Sequence, residues 1–160
     1  SLADAGELKL NRQLVAPQIL LEQTQSAFKH QADQKQIALR VQAEPGLPEI
    51  SVDEIRVAQV LGNLVSNALR YTSESGEIIL SARRESKEIV LSVQDNGAGI
   101  APDALPHIFE RFYRADSSRH SESESGLGLA IARSLVQAHG GSITATSDGV
   151  GKGSTFSIRF

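Results

Sequence analysis

Cysteine, methionine and tryptophan are absent from this 160-residue chain, and the missing cysteine excludes the most. Without a thiol there is no disulfide framework and no thiolate metal site, so nothing argues for secretion, and a zinc or redox role loses its usual ligands. Charge of one sign is lacking too: 16 Lys and Arg stand against 19 Asp and Glu, for a net charge of −3 and an isoelectric point near 5.8. Such a balance gives no bulk attraction to nucleic acid or anionic lipid, and any polyanion site must come from a local cluster. No apolar run approaches the ~20 residues that a membrane span needs. The chain opens Ser1-Leu2-Ala3-Asp4 with no signal-peptide pattern. It reads as a piece of a longer protein, so the lack of an anchor says nothing about the parent. What is present is length enough for one domain that buries roughly 68–70% of its unfolded surface.

Residues 7–15 alternate polar and apolar as a half-buried strand does. Pro17 suits the first turn of a helix, and Ile19, Leu20, Gln23, Ala27 and Phe28 form a stripe at helical spacing, predicting a helix that ends near Gln36. A short strand over 37–41 runs into the turn cluster Pro45-Gly46-Leu47-Pro48. Asp53 is a good N-cap for a second helix, whose Val57, Leu61, Leu64, Val65 and Ala68 share a buried face up to about Tyr71 and Thr72. Segments 77–82 and 88–93 read as an antiparallel hairpin. A short helical piece is expected at 108–111, a mobile Ser-rich charged stretch at 115–125, and a third helix at 127–139 stopped by Gly140-Gly141. Strands at 142–145 and 154–159 make a closing hairpin. Helices segregated from a mostly antiparallel sheet imply an α+β fold, a two-layer sandwich.

Four groups of residues carry possible chemistry. Asn63 and Asn67 stand one turn apart on the second helix, with Arg70 and Tyr71 a turn further, so all project from one side. An Asn carbonyl is a neutral hard-oxygen ligand, and Mg²⁺ takes few protein oxygens, leaving the rest to phosphate and water. Gln94-Asp95-Asn96-Gly97-Ala98-Gly99-Ile100 follows a strand. An ionised Asp95 accepts hydrogen bonds only, so it would welcome the adenine amino group and repel the guanine carbonyl. Ser125-Gly126-Leu127-Gly128-Leu129-Ala130 opens the third helix, where unsatisfied amides bared by glycine suit an anion. Arg111, Arg114 and Arg119 bracket the Ser-rich stretch. Taken singly these are also a solvated helix face, an Asx turn, a hinge and surface charges. Gly149-Val150-Gly151-Lys152-Gly153-Ser154 only faintly suggests a P-loop and is better read as a hairpin turn. His30, His107, His120 and His139 fit no metal pattern and read as structural or exposed.

The order of these features is specific. Asn63-x-x-x-Asn67-Ala68-x-Arg70-Tyr71, then Asp95-x-Gly97-x-Gly99, then Ile108-Phe109-Glu110-Arg111-Phe112-Tyr113, then Gly126-Leu127-Gly128-Leu129 resembles the N, G1, F and G2 boxes of bacterial two-component sensor histidine kinases. The resemblance runs from about Glu7 to Phe160. It implies the Bergerat ATP-binding fold of the gyrase, Hsp90, histidine kinase and MutL superfamily, a mixed, mostly antiparallel sheet on three helices, with ATP and Mg²⁺ as cofactors. By the same resemblance Asn67 would ligate Mg²⁺, Asn63 would support the phosphates, and Arg70 and Tyr71 would reach phosphate or ribose. Asp95 would fix adenine, Gly97 and Gly99 with Ile100 would shape the wall, and Thr155 would help through water. Phe109 and Phe112 would pack the base of an ATP lid spanning about 113–125, Arg111 or Arg114 would steady the γ-phosphate, and Gly126, Leu127, Gly128 and Leu129 would lead amides to the phosphates. Glu124 departs from the family pattern, which often has Gly there.

Asn63 bears on the chemistry. In ATP-hydrolysing branches and anti-sigma serine kinases the matching position resembles a Glu general base. An amide takes no proton at neutral pH, so water activation lacks its base, whereas a neutral imidazole already offers a lone pair. The expected reaction is transfer of the γ-phosphoryl group to a histidine, yet no acceptor segment is present: His30 is followed by Gln31-Ala32-Asp33, unlike the family's acceptor motif. Residues 1–6 are therefore expected to be the trailing end of an upstream dimerisation and phosphoacceptor domain or linker, and 7–160 the catalytic domain. The implied partners are those upstream helices and, through the full-length kinase, a response regulator, with no nucleic acid. The fragment is expected to be monomeric and soluble in the cytoplasm, its parent a homodimeric inner-membrane sensor. Two other readings stand beside this: a nucleotide-responsive module that never delivers phosphate, and a gyrase-like ATPase.

Overall fold

The computed structural model describes residues 8–113 and 126–160. Strands β1 (Gln13–Val15), β2 (Ala38–Ala43), β3 (Ile50–Val52), β4 (Glu77–Glu85), β5 (Glu88–Asp95), β6 (Ser142–Thr146) and β7 (Ser154–Arg159) alternate with helices α1 (Pro17–Gln34), α2 (Glu54–Tyr71) and α3 (Gly128–Ala138). The main sheet has the order β2-β4-β5-β7-β6, with β2 and β4 parallel and its other pairs antiparallel. Side chains alternate across a strand, so Ile78, Leu80 and Ala82 of β4, Leu91 and Val93 of β5 and Phe156 and Ile158 of β7 lie buried on one face. The helices cover that face; α2 brings Val57, Val60, Leu61, Leu64, Val65 and Ala68 into the same core. On the other face Ser92 and Ser157 hydroxyls meet at 2.9 Å, Arg83 donates to Ser92 at 3.1 Å, and Glu85 binds both Arg83 and Arg159. The α+β two-layer expectation holds, as do α2, both hairpins and α3 to within a few residues.

Several expectations need correction. β1 is a three-residue strand, and it leaves the main sheet to pair with β3, which the sequence pattern does not reveal. The buried side of α1 is Leu20, Leu21, Thr24 and Ala32 with Phe28 packed beside them, while Ile19, Gln23 and Ala27 are exposed. That row is one residue out of phase with the one that faces the sheet. In place of a helix at 108–111 there is a 3-10 turn at Leu105–His107, and Phe112 at φ +65° ends any helical continuation. Residues 1–7 and 114–125 fall outside the described residues, and with them lie the expectations for residues 1–6, the mobile stretch, the lid beyond Tyr113, Arg114, Arg119, His120 and Glu124.

A polar knot ties α3 to the start of α2. Asp53 caps α2 through the Arg56 amide at 3.1 Å and accepts the Asn11 amide at 2.9 Å, while its own amide donates to His139 Nε2 at 3.1 Å. The Nδ1 of His139 lies 2.8 Å from the Leu135 carbonyl, which places the proton on Nδ1 and leaves Nε2 as acceptor. Arg12 donates to the Ser51 carbonyl at 2.9 Å and the His139 carbonyl at 3.1 Å. Burial would raise the Asp53 carboxyl, but the Asn11 and Arg56 amides, followed by the Arg56 charge, hold it below its usual range. Burial, aided by Arg12 and opposed by the Leu135 carbonyl and Asp53, pushes His139 below its unfolded value of 6.5. The unfolded chain therefore takes up the His139 proton first: the stability it contributes is complete above pH 6.5 and is lost as pH falls toward the folded value. Urea unfolding of the protein should therefore lose stability as pH falls below 6.5, and His139→Gln should lose less over the same fall. Parallel profiles for the two proteins would show that His139 does not titrate in this way.

Candidate functional site

The second helix presents Asn63 and Asn67 half-buried and Arg70 and Tyr71 exposed. Asn63 Nδ2 donates to the Gly128 carbonyl at 3.0 Å, so the amide stripe of α2 lies against the start of α3. The last turn of α2 is capped by Lys35, whose ammonium reaches the carbonyls of Leu69 and Arg70. The Arg70 guanidinium stands 5.9 Å from the Tyr71 ring centroid.

Asp95 ends β5 on the helix-facing side, 6% exposed. Its Oδ1 accepts the Gly97 amide at 2.9 Å and its Oδ2 accepts the Ser154 hydroxyl at 2.8 Å. Each carboxylate oxygen keeps a further lone pair for a ligand. The loop beyond is packed without room for side chains: a Cβ on Gly97 would lie 2.3 Å from the Tyr71 carbonyl oxygen, and one on Gly99 would lie 2.1 Å from that of Gly149. Ala98 donates to the Tyr71 carbonyl at 2.9 Å, which joins this loop to the end of α2. On its other side the β6–β7 turn holds it, Gly151 donating to Ala98 at 2.7 Å and Gly153 to Gly97 at 3.2 Å. The glycines of the segment that faintly suggests a P-loop thus build a hairpin turn, as expected, and serve as a buttress.

Among the described residues the third helix begins without a side-chain cap, and a Cβ on Gly128 would meet nothing within 4 Å. Its first amides therefore have no side-chain acceptor there, the condition an anion needs. Leu129 packs against the core from α3. Phe112, 69% exposed, donates its amide to the Gly126 carbonyl at 2.8 Å, and both residues are left-handed. Phe109 is more enclosed, edge-on to Phe156 at 6.0 Å and 5.9 Å from the Arg133 guanidinium. Arg111 lies along α3, lining a groove of about 220 Å³ with Leu127, Ala130, Ile131 and Ser134.

The structure thus sets the opening of α3 against Asn63 and the Asp95 loop against Tyr71, so both border the C-terminal half of α2. Thr155 is an exception. Asp95 pairs in register with Ser154, and Gln94 with Thr155, so alternation turns Thr155 to the opposite face of the sheet from Asp95. The hydroxyl on Asp95 is that of Ser154, which the sequence reading missed; the alternation Ser154, Phe156, Ile158 was its available signal. Ser147, Asn96 and Lys35 were also missed. Asn96 accepts the Glu77 amide at 2.8 Å. Among the described residues no group of three or more His, Cys, Asp or Glu is poised for a metal. A single half-buried Asn carbonyl, that of Asn67, suits a hard cation that draws its other ligands from phosphate and water.

A model of the family described as histidine kinase-, DNA gyrase B- and HSP90-like ATPase matches residues 52–160. The sensor protein SrrB of Staphylococcus aureus (strain NCTC 8325 / PS 47) is 36% identical over 158 residues, which is 98% of this chain and 27% of that protein. The chain thus spans about a quarter of the length of the curated relatives it matches. Among solved structures, full-length ShkA in complex with AMPPNP superposes with a TM-score of 0.85 at 33% identity, covering 95% of this chain and 31% of that one. The Acinetobacter baumannii histidine kinase AdeS superposes with a TM-score of 0.81 at 27% identity, covering 99% of this chain and 71% of that one.

Proposed function

We propose, for a chain that belongs to the histidine kinase-, DNA gyrase B- and HSP90-like ATPase family, that it binds ATP with Mg²⁺ and passes the γ-phosphoryl group to a histidine on a helical dimerisation domain of a longer sensor kinase. The observation that carries the reading is the hydrogen bond from Asn63 to Gly128. It sets an amide, not a carboxylate, beside the uncapped start of α3, where a triphosphate tail would lie. Full-length ShkA, 33% identical to this chain, is solved in complex with AMPPNP, which supports nucleotide binding.

In this reading Asp95 accepts from the adenine amino group while Gly97 and Ser154 hold its carboxylate still. Asn67 offers its carbonyl to Mg²⁺, which when bound supplies charge neutralisation on the phosphates. Arg70 and Tyr71 face ribose or phosphate from the last turn of α2. The amides of Gly126, Leu127 and Gly128 receive phosphate oxygens, and Arg111 or Arg114 steadies the γ-phosphate. The acceptor imidazole uses its own lone pair to form the N–P bond as the bond from the γ-phosphorus to the bridging oxygen breaks and ADP leaves. The domain has only to position and to offset charge. The whole-protein partners follow: upstream helices carrying the histidine, a second subunit through them, and a response regulator that takes the phosphate onward. No helix among the described residues is long and apolar enough to cross a membrane, and we place the domain on the cytoplasmic side of a membrane sensor.

The test mixes this chain, Mg²⁺, γ-labelled ATP and a separately made helical acceptor domain. Acid-labile, base-stable label on the acceptor, with little free phosphate in its absence, is the expected result. Good ATP binding with an acceptor that stays unlabelled would make the chain a nucleotide-responsive regulatory module instead. Rapid phosphate release without acceptor would make it an ATPase.

A further inference from the structure

We propose that Ser147 is a positioning residue for adenine recognition: its hydroxyl fastens the Asp95 loop to the β6–β7 turn and so fixes where the Asp95 carboxylate stands. The inference rests on the nucleotide reading above and extends it to a residue that touches no ligand. Ser147 follows the last residue of β6 and is half-buried. Its Oγ donates to the Gly153 carbonyl at 2.7 Å, the nearer of two carbonyls in reach, with that of Gly149 at 3.3 Å, and accepts the Ile100 amide at 3.0 Å and the Gly149 amide at 3.3 Å. A hydroxyl has one proton and two lone pairs, so these contacts use all of it.

The tethered points are those that matter for Asp95. Gly153 precedes Ser154, which donates to Asp95 Oδ2, and a Cβ on Gly153 would lie 2.2 Å from the Asp95 carbonyl oxygen. Ile100 closes the loop that Gly97 opens, and the Gly97 amide donates to Asp95 Oδ1. Both groups that orient the carboxylate are therefore held by chain segments that meet at one side-chain oxygen. A base selected by a charged acceptor needs that acceptor fixed to within about 0.5 Å, and loops on their own do not hold such precision. Removing the hydroxyl leaves the Ile100 amide and the Gly153 carbonyl without this partner in a part-buried place, and only the backbone bonds from Gly151 to Ala98 and from Gly153 to Gly97 then hold the loop to the turn.

The experiment titrates ADP and GDP into the wild type, Ser147→Ala and Ser147→Thr. The alanine variant should bind ADP about tenfold more weakly, the loss expected from ~1.4 kcal/mol, while GDP, which gains nothing from the carboxylate, changes less than about twofold. The threonine variant, which restores a hydroxyl, should recover most of the ADP affinity. An equal loss for both nucleotides, or an ADP affinity unchanged in a folded alanine variant, overturns the proposal, since a purely structural serine would not alter the ratio of the two. If the alanine variant does not fold, amide hydrogen exchange of the wild type decides. Slow exchange at Ile100 supports the tether, and exchange as fast as in an open loop overturns it. A wild type that binds neither nucleotide removes the functional reading itself, which separates that failure from this one.

Discussion

Replacing Asp95 with asparagine is expected to weaken ADP binding by about 10- to 100-fold, because a charged hydrogen bond worth ~1.5–3 kcal/mol is lost and tenfold corresponds to ~1.4 kcal/mol. The geometry sharpens the sign. In the protein the two carboxylate oxygens already receive the Gly97 amide and the Ser154 hydroxyl, so both are fixed acceptors. The substituted amide would keep one acceptor and put an NH₂ in the place of the other. Where that NH₂ meets the adenine amino group, donor faces donor; where it meets the guanine carbonyl, donor faces acceptor. GDP binding should therefore improve as ADP binding falls, and titration calorimetry of both nucleotides reads the two changes separately. Asp95 is 6% exposed, so a circular-dichroism melt must accompany the titrations. A variant that folds normally and binds ADP as the wild type does would remove Asp95 from adenine recognition.

The parts of the fold legible in the sequence are those that signal locally. The N-cap of Asp53 and the apolar period from Val57 to Ala68 are enough to place α2, and the stop at Gly140-Gly141 places the end of α3, which the structure ends at Ala138. The β4–β5 hairpin is legible in kind but not in length. β4 continues to Glu85 through Arg83 and Arg84, charges that look like a loop until one sees that Arg83 and Glu85 lie on the uncovered face of the sheet. β3 has only three residues, too few for alternation to show, and exists as a strand because β1 pairs with it. The candidate site divides the same way. Asn63, Asn67, Asp95 and Gly128 stand in short motifs whose chemistry is visible residue by residue. Ser147 and Ser154 owe their roles to partners far along the chain, Ile100 and Asp95, brought near by strand pairing alone. Thr155 shows how little separates the two cases: a one-residue step along β7 changes the face of the sheet, and with it the atom that reaches Asp95.

Two alanine substitutions at glycine should separate fold from function. Gly153→Ala is expected to destabilise the protein by about 3 kcal/mol, combining a left-handed penalty of roughly 1–2 kcal/mol with the overpacking cost of a crowded site. Gly153 sits at φ +71° with backbone, not a flexible side chain, 2.2 Å from the new methyl, so neither partner can yield without dragging Asp95. Gly128 is the contrary case. A Cβ there meets nothing within 4 Å among the described residues, and at this first position of α3 alanine has less backbone freedom to lose than glycine, so Gly128→Ala should fold as well as the wild type or better. The open space above it is nevertheless where phosphate oxygens would approach the first amides of α3. The same harmless methyl should therefore weaken ATP binding, by about tenfold if it displaces one good amide contact to a charged oxygen. Urea unfolding and ATP titration on both variants give the test its form. For Gly128→Ala, full stability with reduced affinity is expected, and full stability with undiminished affinity would mean that the phosphates lie somewhere other than the head of α3.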